Sequence, residues 1–148
     1  MFWKEKQLRD MSDDEWESLC DRCGKCCTIK LQDEFSGQLF DTSLVCKLFD
    51  KKNCQCKNYS QRHKYVNDCI KLSVNNIDKL KWLPDTCAYK LVAEGKDLYS
   101  WHHLMSGNYN TIHETKNTVV TDGAKSETDI EKIDYEDYIT REIIDYDK

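Results

Sequence analysis

Four cysteines stand within eight residues in Cys20-Asp-Arg-Cys23-Gly-Lys-Cys26-Cys27, a thiol density that coordination chemistry requires and packing does not. A tetrahedral zinc with Zn–S bonds of about 2.3 Å needs sulfurs roughly 3.8 Å apart, and two cysteines separated by two residues reach that distance in one tight turn. Gly24, directly after Cys23, can enter the left-handed backbone region such a knuckle uses. Cys20, Cys23 and Cys26 also match the opening of a bacterial-type iron–sulfur run, although Cys27 follows at once and no proline comes after it. The segment predicts a bound metal, zinc or iron, with an iron–sulfur cluster as one form of the second.

Nine cysteines in 148 residues is a high count, yet below the density of a short disulfide scaffold. Compartment decides between disulfide and metal. The first ten residues hold no apolar stretch that could act as a signal peptide, and no later segment approaches a membrane span. A cytoplasmic protein is expected, in which clustered thiols are ligands or redox groups and an odd number suits pairing poorly. The length predicts a single domain over 1–148, with an acidic C-terminal tail from about residue 127. A net charge of −5 argues against nucleic acid and anionic membrane as partners. Residues 20–72 are the exception, with ten Lys or Arg against six Asp or Glu. Arg22, Lys25, Lys47, Lys57 and Arg62 there would offset the charge of metal-bound thiolates.

Local patterns predict an α+β domain of short helices and a β-hairpin, organised around cysteine-ligated metal. Ser12 and Glu15 read as a capping box, which starts a short helix running to Leu19. Thr28–Asp33 and Gln38–Val45, around Ser36-Gly37, read as a hairpin that Cys46 ends. From Lys47 to Cys69 the chain is polar and poor in apolar residues, so its order is expected to depend on Cys46, Cys54, Cys56 and Cys69 being tied down. Val74, Ile77 and Leu80 suggest a short helix stopped before Pro84, and a second helix should start near Asp85 and end at Gly95. Leu98, Trp101 and Leu104 are candidate core residues, and Asn108 is a candidate cap for a helix through His113. Thr118–Thr121 reads as a strand and Ile133–Ile144 as a final helix with Asp134, Glu136, Asp137, Glu142, Asp145 and Asp147 on its solvated face.

Adjacent cysteines point their side chains apart, so Cys26 and Cys27 should serve different ions. Nine thiols can fill two four-sulfur sites, a thiolate-bridged pair, or an iron–sulfur cluster plus a zinc. One partition gives one site the 20–27 knuckle and the other Cys54, Cys56 and Cys69, with Cys46 and Cys87 completing them. His102, His103 and His113 are alternative ligands or acid–base groups. The five glycines form no phosphate-binding loop, and neither a metalloprotease HExxH nor a GxSxG elbow is present. No catalytic residue is marked, and nothing identifies a protein partner.

These blocks give the chain its likeness. Trp16-Glu-Ser-Leu-Cys20, Cys23-Gly-Lys-Cys26-Cys27, Cys54-Gln-Cys56-Lys-Asn-Tyr59 with Arg62, Asp68-Cys69, Trp82-Leu-Pro84, Thr86-Cys87-Ala-Tyr89, Glu94-Gly-Lys96 and Trp101-His102 together resemble the bacterial CxxCxxCC zinc- or iron-chelating family, and within it the YcgN-type cysteine-cluster proteins. The resemblance spans Phe2 to about Asp134. It implies that Cys20, Cys23, Cys26, Cys27, Cys46, Cys54, Cys56, Cys69 and Cys87 are all metal ligands. His103 departs from it, since the family has proline there, which makes His102 the better histidine candidate. Rival readings are an iron–sulfur or non-haem iron enzyme or electron carrier, and a thiol redox sensor that releases its metal on oxidation.

Overall fold

The computed structural model describes residues 1–66, 69–70, 72–79 and 82–143. In chain order its elements are α1 (Phe2–Glu5), α2 (Asp13–Ser18), β1 (Thr28–Gln32), β2 (Leu39–Val45), β3 (Phe49–Asp50), β4 (Gln55–Cys56), α3 (Arg62–Tyr65), α4 (Ala88–Ala93), α5 (His103–Ser106), α6 (Thr111–Glu114), β5 (Lys125–Ser126) and β6 (Ile139–Ile143), joined by short 3-10 turns. This is an α+β protein of short elements. Its contacts divide it into two compact units, Met1–Cys23 with Ile70–Asn117, and Gly24–Cys69 with Thr118–Lys148. Among the described residues no helix is long and apolar enough to cross a membrane.

The first unit is helical. Its α2 starts as the sequence predicts: the Glu15 N–H donates to Ser12 Oγ (3.2 Å) while the Ser12 N–H donates to Glu15 Oε1 (2.9 Å), so two otherwise orphaned amides are satisfied at once. The helix delivers Leu19, fully buried, to a core of Trp3, Ile77, Leu83, Ala88, Tyr89 and Leu98, against which Trp16 and Leu104 also pack. Tyr89 ties α4 to α2 by donating its hydroxyl to the Trp16 carbonyl (2.8 Å) with the two rings 4.7 Å apart. Gly95 ends α4 at φ +72°, with the Lys96 N–H on the Leu91 carbonyl and the Gly95 N–H on the Val92 carbonyl, the double closure of a Schellman turn. The helix expected from Val74 is only a 3-10 turn, Ile77–Lys79, and Leu80 lies outside the described residues. Asn108 caps no helix: its Oδ1 accepts from the Asn110 N–H (2.8 Å), and α6 begins at Thr111.

The second unit is built on the predicted hairpin. β1 and β2 pair antiparallel from Thr28↔Val45 to Gln32↔Leu39, with an irregularity between Thr28 and Lys30. At the tip, Asp33 Oδ1 accepts from the N–H groups of Phe35 and Ser36, and Gly37 supplies the left-handed residue. β2 also pairs antiparallel with β6 and parallel with β5, while β3 and β4 form a separate ribbon. Asp41 anchors the sheet. It accepts from Thr28 (2.6 Å) and Lys30 (2.9 Å) and meets Arg141 of β6 at 3.4 Å; burial pushes its carboxyl up, but Lys30 and these hydrogen bonds win and hold it below the usual carboxylate range.

Two expectations fail in this unit, for different reasons. Ile139–Ile143 is a strand and Lys132–Tyr138 a 3-10 segment, so the final helix is absent. An isolated helix of this length is marginal in water, and β2 offered an open edge plus the Asp41–Arg141 contact. Ile144, Asp145 and Asp147 lie outside the described residues. Thr118–Thr121 is a turn instead of a strand: the Thr121 N–H donates to Thr118 Oγ1 (3.2 Å) and Thr121 Oγ1 to the Thr118 carbonyl (2.8 Å). Hydroxyls that bond the backbone locally compete with a ladder, and here they prevail.

Candidate metal centre

The CxxCxxCC run is shared between the units, with Cys20 and Cys23 in the first and Cys26 and Cys27 in the second. No disulfide forms among the nine cysteines, all of which are described residues. In the first unit Cys20 is exposed, Cys23 buried and Cys87 half-buried at the start of α4. The Cys23 N–H donates to Asp21 Oδ1 (3.0 Å), and between them Arg22 takes φ +63°, a conformation that costs a residue with a Cβ about 1 kcal/mol. The Arg22 guanidinium lies 4.1 Å over the Tyr109 ring, which in turn stacks on His103 at 4.2 Å.

Two imidazoles grip the chain just ahead of Cys20. The Leu104 N–H donates to His102 Nδ1 (3.0 Å), which places the proton on Nε2, and Nε2 donates to the Leu19 carbonyl (2.7 Å). Both ring nitrogens of His102 are therefore committed and offer an ion nothing. His103 Nε2 bonds the Ser18 carbonyl (2.8 Å), while its Nδ1 is buried without a hydrogen-bond partner. Of the two, His102, which the resemblance favours, has both ring nitrogens engaged, whereas His103 keeps one without a partner.

Burial lowers both histidine pKa values, that of His103 to about 4, where the neighbouring His102 and Arg22 add to the effect. Both stay neutral near pH 7. Groups whose folded pKa is depressed stabilise the fold above their unfolded pKa near 6.5 and lose that contribution as the pH falls toward 4. Thermal stability is expected to decline between pH 6.5 and 4, and His103→Gln should flatten that slope. An unchanged slope in the variant would refute the assignment.

The second unit holds the other six thiols. Cys54 stands apart from the rest: it is 3% exposed, packed with Val45, Phe49, Val119 and Ala124, at φ +52° in the β3–β4 turn, and burial followed by the Asp50 charge pushes its thiol up. Cys27 packs half-buried against the same cluster. Cys46 and Cys69 are half-buried and coupled electrostatically to other thiols. Burial raises the Cys46 thiol, the Leu48 N–H opposes that, and the charges of Glu127, Cys56 and Cys69 raise it further. Burial likewise raises Cys69; Arg62 opposes through its charge and a hydrogen bond, and Cys56 and Cys26 raise it again.

Arg62, expected as charge compensation, is buried and held in place. Its Nη1 donates to the Tyr59 carbonyl and its guanidinium lies 4.2 Å over the Tyr59 ring. Among the described residues no three His, Cys, Asp or Glu side chains stand close enough to share an ion. The donor set is sulfur, nine thiols outside any disulfide, and sulfur suits zinc or iron better than a hard oxygen-seeking ion.

The CxxCxxCC family, described as a "putative zinc- or iron-chelating domain", matches residues 19–88. A UPF0260 protein of Mesorhizobium japonicum is 51% identical over 139 residues, covering 93% of this chain and 94% of the relative. The chain belongs to the UPF0260 family. A UPF0260 protein of Pseudomonas aeruginosa is 48% identical over 139 residues, at 93% and 92% coverage, and one of Rhodopseudomonas palustris is 54% identical over 114 residues, at 77% and 67%. No solved structure matches the chain. The likeness drawn from the cysteine motifs is thereby borne out, and zinc or iron chelation is the description attached to the domain that carries them.

Proposed function

We propose that the protein is a cytoplasmic metal-chelating protein, a single domain over 1–148, whose thiols at Cys20, Cys23, Cys26, Cys27, Cys46, Cys54, Cys56, Cys69 and Cys87 hold zinc or iron. What supports this most is the match of the chelating-domain family to residues 19–88, the stretch that holds all nine cysteines, none of them in a disulfide. Fully sulfur-coordinated zinc has no open position, which favours a binding or interaction module over a hydrolase. With both His102 nitrogens committed, His102 is unsuited to acid–base work beside a cluster.

Elemental analysis of protein purified without oxygen tests the reading. At least one equivalent of zinc or iron per chain is expected, colourless for zinc and brown for an iron–sulfur cluster. Folded, reduced, metal-free protein that takes up neither ion would overturn it.

A further inference from the structure

We propose that the tip of the β1–β2 hairpin, Asp33-Glu34-Phe35, docks in a cationic, apolar-lined cleft on the helical unit of a second copy of this chain. The protein would then associate with itself through a knob on one unit and a hole on the other. The contact involves no cysteine and is independent of metal chelation.

Phe35 is 96% exposed, more than any other large apolar side chain among the described residues. A buried position is the ordinary place for such a ring, so a bare one on a structured turn needs a reason. The turn beneath it is fixed. The Asp33 N–H donates to the Gln38 carbonyl (2.8 Å) and the Gly37 N–H to the Asp33 carbonyl (3.0 Å), while Gln32 Nε2 donates to the Gly37 carbonyl (3.2 Å). Asp33 Oδ1 accepts from the Phe35 and Ser36 amides, and these bonds, that of Ser36 first, hold the Asp33 carboxyl below its ordinary range. Much of the ordering cost of binding is therefore met before a partner arrives, which suits an aromatic anchor. Asp33 and Glu34 are themselves exposed, so the tip presents one apolar ring beside two carboxylates.

The hole has the complementary character. A cleft of about 700 Å³ opens on the first unit, a volume ample for a phenyl ring and its flanking groups. Leu8, Val74 and Val92 supply apolar lining, and Lys4, Lys6, Arg9 and Lys96 line it against a single carboxylate, that of Asp97. Lys4 pairs with Asp97 (3.1 Å), Lys6 with Glu15 (2.8 Å) and Lys96 with Glu94 (2.9 Å). These lysines are exposed, and ion pairs so solvated are weak enough for an incoming carboxylate to replace. Arg9 enters no ion pair among the described residues. Charge complementarity thus selects the occupant: Asp33 and Glu34 match the cations, and Phe35 matches the apolar lining. Ile133, 85% exposed between Lys132 and Asp134, is the other apolar group set among acids, but Tyr135 and Tyr138 of its segment are half-buried, which makes it the poorer knob. Because knob and hole are different surfaces, the contact is heterologous, and a free tip and a free cleft remain on every pair joined by one contact.

The test is sedimentation velocity of the full chain from low micromolar to submillimolar concentration, with reductant present so that no disulfide joins copies. The weight-average mass should rise with concentration, and less steeply at high salt, which screens the carboxylate–cation contacts. Phe35→Ser and the double variant Arg9→Glu/Lys96→Glu should each weaken association about tenfold or more. Both should melt as the parent does, since all three side chains are exposed. Mixing the two variants brings one intact tip together with one intact cleft. The mixture should therefore form one-to-one pairs where the parent associates, although neither variant does so alone. Ile133→Ser should associate as the parent does. The proposal is overturned by a parent that stays monomeric, by either variant associating as the parent does, by a mixture that stays monomeric, or by loss of association in Ile133→Ser, which would make the acidic segment the occupant.

Discussion

Stripped of metal under reducing conditions, the protein should lose order in residues 47–66 before it loses order in the helical unit. Structural zinc in small domains contributes on the order of 10 kcal/mol of folding free energy, because the site does not exist in the unfolded chain. The segment has little else to hold it. Leu48 and Phe49 are its buried large apolar side chains, β3 and β4 have two residues each, and most of the positions from Lys51 to Tyr65 are exposed. Hydrogen exchange of the metal-loaded and chelator-treated forms provides the comparison, with amides of 47–66 expected to exchange faster by about a hundredfold or more and those around Leu19, Ala88 and Tyr89 much less affected. Equal exchange in the two forms would mean that the ribbon stands without an ion and that thiol ligation is not what orders it.

Gly24→Ala should destabilise the metal-loaded protein by roughly 3 kcal/mol. Two costs add. The residue sits at φ +78°, where a Cβ costs about 1 kcal/mol, and its Cβ would lie 2.6 Å from Val119 Cγ2 and 2.7 Å from Phe49 Cζ, an overpacking worth another 1–3 kcal/mol or so. For a chain of this length the combined cost corresponds to a fall in Tm of about 6–12 °C. Gly95→Ala is the natural control. Its φ is +72°, but nothing lies within 4 Å of the added methyl, so only the backbone cost of about 1 kcal/mol applies. If thermal melts place the two variants within a degree of each other, the close approach of Phe49 and Val119 to the knuckle is refuted.

That comparison also separates what was legible in the chain from what was not. A left-handed residue after Cys23 could be read from the glycine itself, as could the Ser12–Glu15 capping box, the Gly95 terminus and the Ser36-Gly37 hairpin tip. Each of these is satisfied by atoms within a few residues. The strand at Ile139–Ile143 could not be read so, because its hydrogen bonds go to β2, about a hundred residues earlier, and its acidic neighbours imitate a solvated helix. The Thr118–Thr121 turn misled for the converse reason: residues favoured in strands also close turns through their own hydroxyls.

Cysteine content and spacing by themselves pointed to a metal, since no packing requirement explains so many thiols placed so close together, and the residue blocks around them pointed to the family whose model matches residues 19–88. How each thiol is buried was decided only by the tertiary structure. Burial depends on neighbours in space and not on neighbours in sequence: Cys54 and Cys56 are two residues apart, yet one is sealed in an apolar cluster and the other is half-buried on β4. The histidines follow the same rule. Their ring nitrogens look alike in the sequence, and only folding brings up the Ser18 and Leu19 carbonyls that accept from Nε2, while the Leu104 N–H takes the His102 Nδ1 lone pair and leaves that of His103 without a partner.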